Sequence, residues 1–269
     1  MENEKRQYPE PLEALIIVLV AFASMILLVF IHGAINGAQE PVEMMNNARF
    51  IYIFGGIFFI IIPIIYAYLR HYSIRKVFRL NPVPSAMLLT SLVAGLALSV
   101  LGDELDRLVQ IVIPSPDWLA EMLLPLQAKT PWEWIEVITG AVILAAFSEE
   151  FLFRGFLQTA LERKGDVTRA VLLTSIAWTL VHENPYWAIQ IFIVGIIIGF
   201  VAWRGNSIWP SMVVHGTYNL IGVIFLNLDE KSSLVRWYQW HGHVNPLLVL
   251  VALVVLVYTI KIMNRIYRY

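Results

Sequence analysis

Residues 132–154 read WEWIEVITGAVILAAFSEEFLFR. An apolar run from Val137 to Phe147 leads straight into Glu149 and Glu150, and Arg154 follows four residues after the second. Moving one carboxylate to the centre of a bilayer costs about 2.5–3.5 kcal/mol on the most lenient insertion scale, and two side by side also repel each other. Such charges persist inside a span only where they are paired or used. The stretch therefore reads as a membrane helix and marks a functional site within it.

The rest of the chain agrees with that reading. Of 269 residues, 58% are hydrophobic and 14% charged, against about 25% charged in soluble domains. At about 20 residues per span the length allows roughly eight helices, with no room for a separate soluble domain. The fold expected is all-α and polytopic. Net charge is −1, which gives no reason to expect nucleic acid as a partner. The chain has no cysteine, which excludes disulfides and thiolate catalysis. The first apolar run follows Lys5 and Arg6 and is too long for a signal-peptide core of about 7–15 residues, so it reads as a retained helix.

The spans expected are 12–31, 50–69, 86–101, 132–152, 170–182, 187–202, 207–226 and 246–263, the fourth with scope to continue past Arg154. The third is expected to end at Gly102-Asp103-Glu104. These group into an N-terminal part over 1–131, a core over 132–228 made of helices four to seven, and a loop with a last helix over 229–269, all within one membrane domain. With the N-terminus inside, only Arg49, Arg107, Lys129, Lys231 and Arg236 of the 19 basic residues fall outside, so both termini are expected to be cytoplasmic. The 103–130 segment reads as a long loop: a lid, an interfacial piece at Trp118–Leu124, or an ordinary packed loop, the last being favoured.

Polar residues recur in the fourth to seventh helices at Glu149, Glu150 and Arg154, at Trp178 and His182, and at His215 and Asn219. At four-residue spacing Arg154 shares a helix face with Glu150, a structural ion pair that leaves Glu149, rotated by about 100°, to point elsewhere. Counted from the basic boundary at 1.5 Å per residue, Glu149, His182, His215 and Asn219 lie about 21, 20, 12 and 18 Å deep, one slab in which they can converge. Peptide hydrolysis needs a base for water, donors for the oxyanion and an acid for the leaving amine. Glu149 could be the base, His182 could help hold the water, and His215 and Asn219 could donate to the oxyanion. Alternatively Glu149, His182 and His215 form a nitrogen and oxygen set that suits zinc, although the helical His-Glu-x-x-His pattern is absent.

Glu149-Glu150-x-x-x-Arg154, an aromatic residue three positions short of adjacency to His182, and His215-x-x-x-Asn219 together resemble the three motifs of the CAAX prenyl protease type 2 family, also called CAAX proteases and bacteriocin-processing enzymes. The resemblance covers about 132–228. It implies an intramembrane endopeptidase in which Glu149 and His182 activate water and His215 and Asn219 stabilise the oxyanion, acting on a membrane-associated or lipidated protein or peptide. It leaves open whether zinc takes part. Trp178 stands where the family commonly has Phe. Two rival readings come from other classes: a non-catalytic bacteriocin-immunity or signalling scaffold, and an ion-coupled transporter, which the absence of internal repeats disfavours. The compact plan fits a bacterial plasma membrane.

Overall fold

The computed structural model describes residues 7–37 and 48–266. Among them, eight long helices carry the fold: α1 (Pro11–Asn36), α2 (Ala48–Leu69), α3 (Ser85–Val112), α4 (131–164), α5 (Val167–Leu180), α6 (Ala188–Gly205), α7 (Ile208–Leu226) and α8 (Pro246–Ile266). Local signals set their ends. Glu10 and Glu13 form a capping box at the start of α1, and Gly37, at φ 71°, closes it in the left-handed region. Asp166 and Ser207 accept backbone N–H bonds at the starts of α5 and α7, and left-handed Asn206 ends α6. Five of these helices, α1, α3, α6, α7 and α8, are long and apolar enough to cross a membrane, and Phe54–Leu69 and Val167–Leu180 are shorter apolar helices. The molecule is an all-α integral membrane protein.

The largest difference from expectation is α3, which does not stop at Gly102-Asp103-Glu104 but continues to Val112. Its last turns are held by half-buried four-residue pairs, Arg107 on Asp103 at 3.2 Å and Gln110 on Asp106 at 2.5 Å. Gly102 is a contact residue rather than a terminator, since a Cβ there would sit 2.6 Å from the Tyr218 hydroxyl. The long loop thus shrinks to 113–130, with a short helix at Asp117–Glu121 and a tight turn at Leu124–Leu126. Leu119 is buried, and Trp118 meets Tyr186 edge-on at 6.0 Å. A two-stranded hairpin, Gln239–Trp240 with His243–Val244, was not foreseen. It docks on α3 through Glu104, which accepts from Val244 N and meets His243 Nδ1 at 2.9 Å.

α4 is one continuous rod, roughly 50 Å long at helical rise. It widens into π turns at Ile138–Leu144 and Phe151–Leu157, on either side of the glutamates. Such turns lodge an extra residue and recur at functional sites. At the second, the loop after Ile74–Val77 pushes into the bundle. The Phe78 ring stacks on Phe151 at 4.0 Å and on Phe156 at 5.5 Å. Its backbone lies so close to Gly155 that a Cβ there would be 3.0 Å from the Phe78 carbonyl oxygen. Next to it Arg79 takes φ 52°, a conformation worth about 1–2 kcal/mol of strain in a non-glycine residue, and its buried guanidinium pairs with Glu162. The Arg79 carbonyl accepts from Ile208 N, and Ser207 Oγ donates to the Asn81 carbonyl, which bolts this loop to the α6–α7 turn.

Candidate active site

Four of the sequence-predicted residues, Glu149, Arg154, His182 and His215, meet around one side chain, Trp178 on α5. Its indole N–H must find an acceptor once buried, and Trp178 is only 3% exposed. The acceptor is the Glu149 carboxylate, at 2.6 Å. The His182 and His215 rings approach the indole edge-on at 5.0 and 5.3 Å, and the Arg154 guanidinium lies 4.3 Å from its ring centre. Glu149, His182 and His215 therefore make no hydrogen bond to one another but share a neighbour. The sequence reading treats Trp178 as a larger ring in a phenylalanine position. The structure gives it a hydrogen bond that phenylalanine cannot make.

Glu150 and Arg154 are fully buried and paired at 2.9 Å. The same carboxylate oxygen, Oε1, meets His215 Nδ1 at 3.0 Å, and Arg154 also donates to the Gly195 carbonyl at 3.3 Å. Glu150 is thus shared between the arginine and the second histidine. His182 Nδ1 lies 2.7 Å from the Trp178 carbonyl oxygen. Carbonyl and carboxylate oxygens only accept, so both Nδ1 atoms carry hydrogen and each ring presents Nε2 for chemistry. The two histidines are oriented by different elements, His182 by its own helix end and His215 by α4.

Asn219 stands one turn beyond His215 on α7 and donates to the Ala141 carbonyl at 3.0 Å, within the first π turn of α4. Its carboxamide is therefore anchored from the N-terminal side of the glutamates, whereas His215 is anchored from Glu150. Glu183 is exposed, at φ 49°. Its neighbour Asn184 is buried and accepts from Tyr186 N and Trp187 N, so this turn starts α6. The sequence run Glu183-Asn184-Pro185, directly after His182, is expected to end a helix, and the structure ends α5 just before it and starts α6 just after it. Among the described residues no three histidine, aspartate or glutamate side chains stand together as a metal-ligand set. Glu149, His182 and His215 each approach Trp178 rather than one another.

The family model of Rce1-like type II CAAX prenyl endopeptidases matches residues 131–221. That range contains every residue of the three motifs and ends two residues past Asn219. Curated proteins and solved structures gave no match.

Proposed function

We propose that this chain, whose residues 131–221 carry the Rce1-like type II CAAX prenyl endopeptidase segment, hydrolyses a peptide bond of a membrane-associated or lipidated protein or peptide within the bilayer. The observation that carries the reading is the Trp178 indole, which holds Glu149 and is flanked by both imidazoles. In this reading Glu149 takes a proton from water, and the Trp178 N–H keeps the carboxylate aimed during the transfer. His182 Nε2 helps orient the water. His215 and Asn219 stabilise the tetrahedral oxyanion. For that role His215 needs a hydrogen on Nε2 to donate, while its Nδ1 is held by Glu150 Oε1. Glu149, once protonated, returns its proton to the leaving amine. No step is routed through a metal.

Substituting Glu149 with Gln keeps the size and the acceptor for Trp178 but removes the base. It is expected to abolish cleavage with the fold intact, read by comparing membrane peptides from cells carrying wild type and variant. Equal processing in both would sink the proposal and favour a scaffold. Metal analysis of purified, active protein is expected to find no stoichiometric zinc, and chelation to leave turnover unchanged. Loss of turnover on chelation, restored by zinc, would move water activation to a metal. We further propose that both termini face the cytoplasm, on the strength of the basic-residue asymmetry, and that the membrane is a bacterial plasma membrane, on the compact, loop-poor plan.

A further inference from the structure

A line of buried polar side chains runs from the site to the basic end of the bundle, and the proposed chemistry does not use most of it. Glu150, Arg154, Gln158 and Glu162 follow one another at four-residue spacing along α4, and Arg79 closes the line. Gln158 donates to Glu162 at 2.8 Å and to the Gly199 carbonyl at 3.0 Å, one turn beyond the Gly195 carbonyl that accepts from Arg154. Gly195 and Gly199 make the seam possible. A Cβ on the first would sit 3.0 Å from the Trp178 ring, and one on the second 3.1 Å from Gln158 Oε1.

The line is not satisfied by protein alone. Glu150 Oε2, Arg154 Nε, Gln158 Oε1, Arg79 Nε and Arg79 Nη1 are buried without a hydrogen-bond partner among the described residues. They are five of the twelve such atoms, gathered on one file of five residues. Left dry, their combined desolvation cost would rival the whole net stability of a domain. Buried polar groups of this kind are met by bound water.

We propose that this file holds water and is the route by which hydrolytic water reaches the site along the α4–α6 seam. The inference rests on the hydrolytic reading above. An intramembrane protease consumes one water for each bond cut, and an apolar substrate segment seated over half-buried Glu149 and His182 closes that side to solvent. The file reaches Trp178 through fully buried Glu150 and Arg154, so it does not depend on the side that substrate closes. Gln158 is its midpoint and touches none of the reacting groups, which makes it a positioning residue for water.

Two measurements test this. An experimental structure fine enough to show ordered water is expected to place water on Arg154 Nε, Gln158 Oε1 and Arg79; a dry seam overturns the route whether or not the protein proves to be a protease. Substituting Gln158 with Leu blocks the midpoint with a side chain of similar size. It is expected to lower kcat about tenfold with KM unchanged, while Gln158→Asn, which keeps an amide there, retains most of the turnover. A purely structural role would lower the stability of Gln158→Leu without this split. Unchanged kcat in folded Gln158→Leu, or equal losses in the two variants, overturns the proposal. If wild type cleaves nothing but the waters are present, the hydrolytic reading fails and the wet seam stands.

Discussion

At the scale of single residues, the interest lies in how two adjacent glutamates are separated. Glu150 is committed to Arg154 and His215, and Glu149 is turned to the indole of Trp178. The pairing of Glu150 with Arg154 was legible from four-residue spacing. The partner of Glu149 was not, because spacing within a helix says nothing about which residue of another helix will face it. Replacing Trp178 with Phe keeps the ring against both histidines and removes only the N–H. A hydrogen bond to a charged group is worth about 1.5–3 kcal/mol. The expected result is a fall in kcat of about ten- to a hundredfold with little change in KM, read by steady-state cleavage. No change in kcat would mean that the indole merely packs.

At the scale of elements, α4 is the part on which the site depends. Its continuation past Leu152 to Lys164 was foreseeable, since only Gly155 interrupts good helix formers. Its π turns were not, because an inserted residue leaves no mark in an apolar run that has no fixed period. The end of α3 was misplaced for a related reason. Gly102 followed by two acids resembles a helix stop, but the glycine makes room for Tyr218, and of the acids Asp103 pairs along the helix with Arg107 while Glu104 reaches across to the hairpin. Gly155 is the sharper case, since the atoms that a Cβ would meet belong to the Phe78 backbone and cannot rotate away. Gly155→Ala is expected to destabilise the protein by about 1–3 kcal/mol, seen as a lower thermal midpoint in detergent. An unchanged midpoint would show that the Phe78 loop yields.

At the scale of the whole molecule, the helix count, the all-α class and the concentration of polar residues in helices four to seven were legible from composition and hydropathy. Which helices pack together was not. Sidedness is the global property that can be tested at once. Because the chain has no cysteine, each introduced thiol reports alone. A cysteine at exposed Arg75 is expected to resist a membrane-impermeant maleimide in intact cells, and one at exposed Lys231 to react. The reverse pattern would invert the orientation and, with it, the side from which water travels along α4.

The π turns of α4 also bear on which changes of chain length a descendant of this sequence can survive. A π turn is a helix that has absorbed one residue too many. Losing one residue inside Ile138–Leu144 lets that turn relax to ordinary α-helix, with the phase beyond it nearly preserved. The same loss within Ala145–Glu150 swings everything on one side by about 100° and parts Glu149 from Trp178. Single-residue deletions in this helix are thus tolerated at its swollen turns and not between them. The number of residues from Ala145 to Glu150 is as much a part of the site as their identity.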